Sequence, residues 1–544
     1  MSGGYVFGPL ERRGVFLGAR LGQLLTGLVT SALVVAVLAL WPSPLGAVVA
    51  LLLVAGAGGA TLVPVVGRTV EEWVPIATVF LVGEMTGSHR WLSGSHLGGH
   101  RLHIAAWTGH EVREPDPPET PPPATRPRRR RQIGQGDEPD PDTSADQRLV
   151  TAVYRVDAGE QPPPYLRHIQ LLAARWREGE IGVVADARHR TYVGVLAARG
   201  RSFPLLDAGE KERLLSHWGA VLAGIAREGG PVTRLQWLER TVPDDSETVV
   251  RHLQANRSLP SSSAFVSSYL SLLDDAAPQT QEHEAFLAIQ VSAVGASGVI
   301  RQLGAGTDIG ACEVLSRELT ALARSLREAE VDVRGVLSPR MLAAVIRQAV
   351  DPQARGQLAH RTAAHADSAG ASPRSAWPRR SLASWSSLHT EGAHHATYWV
   401  AEWPRTPVGA DWLTPLLLGT RARRTVSVVM QPTAPAMALR RVEAARLDDD
   451  TTQSLRERLG FRRTVRKRRE AENVVRAEEE LNEGHRHVAL SAYITVTATS
   501  ARELEVACSD VEQQAAQARL DIRREFGTQD LAFTYTLPLC RGLR

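Results

Sequence analysis

Lysine is almost absent from this chain: of 63 basic residues in 544, only Lys211 and Lys467 are lysines. A phosphate-binding P-loop needs a lysine directly after glycine, but Lys211 follows Glu210 and Lys467 follows Arg466, so the chain builds no Walker A site. Cysteine is also scarce. The three cysteines, Cys312, Cys508 and Cys540, are far apart and form no C-x-x-C pair, which argues against a zinc site or a disulfide framework. The sequence contains no H-E-x-x-H, no G-x-S-x-G and no G-x-G-x-x-G set between a strand and a helix. These absences point away from the common hydrolase and nucleotide-binding classes, and the chain reads as a non-enzyme with no cofactor and no metal. The net charge of +4 is small for this length, so any electrostatic partner must be sought in local clusters.

What the chain does have is two long uncharged stretches near its start, Leu21 to Leu40 and Leu45 to Val66, joined by Trp41-Pro-Ser-Pro44. Each is long enough to cross about 30 Å of hydrocarbon as a helix, which predicts a transmembrane hairpin over residues 1–67 with spans 21–40 and 45–66. Arg12, Arg13 and Arg20 precede the first stretch and Arg68 follows the second. The positive-inside rule then puts both termini and the bulk of the chain on the cytoplasmic side of the cytoplasmic (inner) membrane. Gly56, Gly58, Gly59 and Ala60 give the second stretch a smooth face for close helix packing.

Residues 68–147 read as a linker, rich in proline and arginine from Glu114 to Asp142. Its basic run, Arg126, Arg128, Arg129, Arg130 and Arg131, is a candidate membrane-surface patch. There each basic residue contributes roughly 1 kcal/mol toward anionic lipid, and a solvated run is the alternative.

From Leu149 onward, segments of period 2 and period 3.6 alternate, which predicts an α/β (α+β) body of ferredoxin-like β/α units rather than a helical bundle. A first unit is expected over 148–300 and a second over 301–544. Strands are expected at 181–186, 191–196, 232–239, 284–291, 331–336, 397–403, 425–431, 489–498, 521–526 and 532–537. Asp207-Ala-Gly-Glu210, Ser338-Pro339 and Ser500 with Glu503 are helix starts. Residues 353–390 read as a long loop, and 435–483 as a long charged helix.

Few side-chain clusters suggest chemistry. His394-His395 and His485-Arg-His487 have the short spacing of metal ligands but no obvious carboxylate or cysteine to complete a shell, and Asp448-Asp-Asp450 reads as solvated surface. Trp399, Trp403 and Trp412 could stack nucleic-acid bases, although tryptophans on a strand more often pack a core. The basic block Arg462-Arg463 and Arg466-Lys-Arg-Arg469 precedes an acidic one, which suggests pairing along a helix rather than phosphate binding.

Five segments carry a family resemblance: Arg13-Gly-Val-Phe-Leu-Gly18, Val70-Glu-Glu-Trp-Val-Pro75, Leu235-Gln-Trp-Leu-Glu-Arg240, Tyr398-Trp-Val-Ala-Glu-Trp-Pro404 and Pro538-Leu-Cys-Arg-Gly542. In these the chain resembles membrane proteins of actinobacterial conjugative elements. That family looks like the two-span inner-membrane subunit of type IV secretion fused to the N-terminal, non-motor half of the transfer ATPase. The resemblance implies a structural subunit that docks a separate cytoplasmic ATPase, with Pro538, Leu539, Arg541 and Gly542 as docking residues. It also implies membrane lipid, other channel subunits and an oligomeric complex as partners. A membrane component of type VII export and a tethered single-stranded-DNA-binding accessory protein are the alternatives, and direct nucleic-acid contact is left open.

Overall fold

The computed structural model describes residues 21–62, 68–93, 149–157, 162–433 and 488–543, except 177–178, 200–202, 228, 244–252, 254–255, 257–259, 261–262, 277–280, 304–305, 359–368 and 405. Among the described residues, one 14-stranded antiparallel sheet organises the chain. Its strands are β1 (Arg90–Leu92), β2 (Val150–Arg155), β3 (Ile169–Trp176), β4 (Gly179–Asp186), β5 (Thr191–Arg199), β6 (Val232–Pro243) and β7 (Gln281–Ser292). They continue with β8 (Asp332–Val336), β9 (Arg380–Ala383), β10 (Leu388–His389), β11 (His394–Glu402), β12 (Arg423–Pro432), β13 (Val488–Ala498) and β14 (Asp521–Arg524). The helices are α1 (Leu21–Leu40), α2 (Pro44–Leu62), α3 (Val70–Thr86), α4 (Ala208–Ile225), α5 (Ala264–Ala276) and α6 (Ser297–Gln302). Five more follow: α7 (Thr307–Glu328), α8 (Pro339–Val350), α9 (Thr414–Leu418), α10 (Ala501–Gln517) and α11 (Gln529–Phe533).

Two units of the same topology share the sheet. In the first, β5, β6, β7 and β8 lie in the spatial order β6-β7-β5-β8, and in the second, β11, β12, β13 and β14 lie in the order β12-β13-β11-β14. In each, a helix follows the first and third strands, which is the split βαβ arrangement. The likeness extends to the wings: the far edge of β5 is shared by β4 and β8, and that of β11 by β10 and β14. The second strands of the two units, β6 and β12, pair antiparallel from Leu235 opposite Met430 to Thr241 opposite Arg424. This seam is a local twofold and fuses the units into one body. The first unit runs on to β8, past the boundary expected at residue 300.

Helix α7 lays Leu315, Leu319, Leu322 and Leu326 on one face of the first unit, and α10 lays Leu504, Cys508, Val511 and Ala515 on the second. On the opposite face, Leu342, Ile346 and Val350 of α8 pack with the C-terminal Phe533, Leu537 and Leu539. With both faces covered, the central strands bury unbroken runs such as Phe286–Val291. Local caps fix the helix starts: Asp207, Ser338 and Ser500 each accept a hydrogen bond from the backbone N–H three residues on, at 2.8, 3.3 and 3.2 Å.

The apolar stretches at the start form α1 and α2, side by side, with Gln23 Nε2 donating to the Thr61 carbonyl at 3.2 Å. Among the described residues, however, no helix is long and apolar enough to cross a membrane. The transmembrane hairpin and the membrane-anchored fold class are corrected accordingly: the fold is an α/β body with a large antiparallel sheet, carrying an apolar helical pair.

The expected linker is likewise part of the fold in its first third. Residues 70–86 form α3, and β1 pairs with β9; only 94–148, with the basic run Arg126 to Arg131, lies outside the described residues. Helix α3 sits on the second unit through Trp73, whose ring lies 5.7 Å from Trp385 and 5.8 Å from Phe526. Beneath it, the buried Arg68 donates to the buried Glu525 at 3.0 Å. At the other end of the helix the His89 ring stacks on Phe80, and a Cβ at Gly83 would come within 2.1 Å of His89 Nε2, so this approach requires glycine. Two further expectations change. The loop 353–390 contains β9 and β10, and the strand expected at 532–537 is the end of α11 followed by a 3-10 turn at Thr534–Thr536. There Thr534 and Thr536 hydroxyls donate to the carbonyls of Leu531 and Phe533, closing a turn from residues whose alternation mimics a strand. The charged stretch 435–483 lies outside the described residues.

Breaking the ion pair from one side strands a buried carboxylate. Arg68→Met should lower stability by about 3 kcal/mol, read as a shift in urea midpoint by the fluorescence of the neighbouring tryptophans. Arg68→Met/Glu525→Met should recover much of that loss.

Candidate functional site

The seam is where the C-terminal segment meets the middle of the chain. Along β6, Leu235 joins the core under α7, while Leu238 joins the core on the opposite face, the face covered by the C-terminal segment. Gln236 points the same way as Leu238 and is fully buried there. Its Nε2 reaches Ser427 Oγ on β12 at 2.9 Å and the carbonyls of Tyr535 and Leu537 at 3.0 and 2.9 Å. Its Oε1 accepts from the Cys540 N–H at 2.8 Å. Ser427 in turn donates to the Tyr535 carbonyl at 2.8 Å. One side-chain amide thus links both units and the C-terminal segment.

The rest of the segment is held as tightly. Arg234 Nη1 donates to the Cys540 carbonyl at 3.0 Å, Arg541 Nη1 to the Tyr165 carbonyl at 3.1 Å, and the Tyr493 hydroxyl to the Gly542 carbonyl. Cys540 takes a left-handed backbone (φ 51°), as does Gly542 (φ 95°), where a Cβ would lie 2.7 Å from Tyr535 Cγ and 2.8 Å from Tyr493 Cε2. Burial pushes the Cys540 thiol well above its ordinary range, so it is a packing group and not a nucleophile. Of the expected docking residues, Pro538 and Leu539 are therefore buried within this clamp, while Arg541 and Gly542 are half-buried where the segment emerges. Burial also lowers the pKa of Arg541, against the opposing pull of Asp186 and Tyr535.

The histidines resolve into separate environments. His389 and His394 stack with ring centroids 4.2 Å apart. His395 is buried between Thr390 Oγ1 at 2.9 Å and Thr497 Oγ1 at 3.0 Å. Because Thr390 gives its proton to the Val350 carbonyl at 2.6 Å, it accepts from His395 Nε2, which leaves Nδ1 to accept from Thr497. Burial, reinforced by His394 and His389, lowers the pKa of this neutral ring to about 3. Among the described residues no group of His, Cys, Asp or Glu could hold a metal ion. Asp448 to Asp450, His485, His487 and the basic block 462–469 lie outside those residues. Of the tryptophans, Trp399 is buried and Trp403 packs edge-on against Trp412 at 6.2 Å within the core under α10.

On the helix side of the seam, Arg424 is fully buried and donates to the carbonyl of Leu417 in the last turn of α9 and to those of Thr420 and Ala422 just beyond it. This cation at a helix C-terminus compensates carbonyls that have no intrahelical partner. Neither Gln236 nor Arg424 is visible as a site from sequence, since no catalytic motif contains it. No protein-family model matches the chain, and no curated protein is detectably similar to it.

Gln236→Leu would leave the Cys540 N–H without a partner in the interior and take one donor each from the Tyr535 and Leu537 carbonyls. A loss of roughly 3 kcal/mol is expected, together with new proteolytic cleavage after residue 526 in an otherwise folded protein, scored by mass spectrometry. His395 gives a pH signature. Its folded pKa of about 3 lies below the ordinary 6.5, so the unfolded chain binds the extra proton and stability falls as pH drops from about 6.5 toward 3. The slope approaches about 1.4 kcal/mol per pH unit. Denaturant titrations at pH 7 and pH 5 should show this acid sensitivity reduced in His395→Gln relative to the parent.

Proposed function

We propose that the chain is a non-catalytic scaffold of a conjugative or type IV secretion-like transfer machine, holding a separate ATPase beside the cytoplasmic membrane. The supporting observation is that the segment following the apolar helices and the C-terminal segment are both clamped to one body. Arg68, at the foot of the apolar helices, pairs with Glu525, and the segment that begins there crosses the seam and emerges at Arg541 and Gly542. A body that grips both segments can pass a load from whatever holds the helices to whatever holds the tail.

Because Pro538 and Leu539 are buried, the ATPase contact falls to the surface around Arg541 and Gly542. Localisation at the inner membrane belongs to the same reading and requires no crossing helix. It is supported by the uncovered leucines and valines of α1 and α2, such as Leu28, 69% exposed, and Leu51, 70% exposed. Other channel subunits and further copies of the chain are the remaining partners.

The test is co-purification of the tagged full-length chain with the ATPase encoded beside it. Wild type should retain the ATPase and float with membranes in a density gradient. Arg541→Glu, which leaves the clamp at Gln236 intact, should weaken retention by about tenfold or more. Failure of the wild-type chain to hold any ATPase would sink the docking role, and unchanged binding by Arg541→Glu would move the contact elsewhere.

A further inference from the structure

A cavity opens on the tail side of the seam, between β6, β12, β13 and α8, that the scaffold role does not use. We propose that it is a binding site for a small inorganic anion. Three arginines line it, Arg240, Arg355 and Arg423, together with Gln348, Thr425 and Phe533, and no acidic residue is among its lining residues. Its free volume is about 20 Å³, counted at the centre of a water-sized sphere. That suits one ion or one or two waters and is too small for an organic substrate.

The donors are fixed before any ion arrives. Arg240 is held by Glu284 at 2.6 Å through Nε, by the Val345 carbonyl at 3.1 Å and by Gln348 Oε1 at 2.6 Å. Gln348 thereby spends its carbonyl and keeps its amide N–H groups for another acceptor. Arg355 reaches Glu282 through Nη2 and lies 3.8 Å from Glu284, while its buried Nη1 has no hydrogen-bond partner. A buried guanidinium nitrogen without an acceptor is costly, and an anion supplies both the acceptor and the opposite charge. Three other polar groups in the wall are already engaged: Thr497 with His395, Thr495 with Thr397, and Thr536, which donates to the Phe533 carbonyl. Arg355, Gln348 and Thr425 are the groups that would offer donors to the ion, with the charges of Arg240 and Arg423 beside them. Residues of both units contribute, so an anion here would tie Arg240 and Arg355 of the first unit to Arg423 and Thr425 of the second.

The experiment is thermal unfolding of the full-length protein in sodium gluconate exchanged stepwise for sodium chloride, bromide or phosphate at constant ionic strength. A saturable rise in melting temperature is expected with halide or with phosphate. Chloride and bromide acting alone identify a monatomic ion, and phosphate acting alone an oxyanion admitted through the mouth. Arg355→Gln and, separately, Thr425→Val should each raise the half-saturating concentration about tenfold or more, the loss of one charge-assisted hydrogen bond. Thr425→Val serves should Arg355→Gln fail to fold. Identical melting temperatures in all four salts, or an anion response unchanged in both variants, would overturn the site and leave a water-filled gap.

Discussion

The amide of Gln236 is the contact on which the architecture turns. Two sheets of four strands joined only by the backbone pairing of β6 and β12 would be hinged along a single ladder. The amide adds a second connection, perpendicular to the first. It reaches across to Ser427 in the other unit and up to three backbone groups of the overlying C-terminal segment. The Leu537 carbonyl and the Cys540 N–H are buried, and burial without a partner costs more than a made bond returns. The segment and the seam therefore stabilise each other, and neither is complete alone.

The same economy of placement recurs elsewhere. Arg424 fills the carbonyl end of α9, burial keeps His395 neutral between two threonines, and Arg68 meets Glu525 where α3 lands on the second unit. In each case a polar group is buried at a junction between elements distant in sequence. Such groups fix which surfaces meet, whereas the apolar residues around them determine mainly that surfaces meet.

Much of the body was legible because its signals are local. The turn between β4 and β5, the cap at Asp207, the Ser338-Pro339 start of α8 and the Leu504, Cys508, Val511 stripe of α10 are each written within a few residues. What escaped depends on distant partners. Strands β9 and β10 are 4 and 2 residues long in a polar stretch, and exist because β1 and β11 lie alongside them. Thr534 to Thr536 alternates like a strand but spends its hydroxyls on a turn. Arg234, Gln236 and Arg240 have the polarity of a solvated strand face, and only the covering tail and α8 turn that face inward. The apolar stretches at the start do form helices, but among the described residues none is long and apolar enough to cross a membrane.

The position of β1 has a topological consequence. It lies at one end of the sheet path and β2 at the other, eleven ladder steps apart. The helical pair is fastened to the body on the β1 side, through α3, through the pairing of β1 with β9 and at Arg68 and Glu525. Cleavage between β1 and β2 would therefore leave two fragments that still grip one another, a natural split protein.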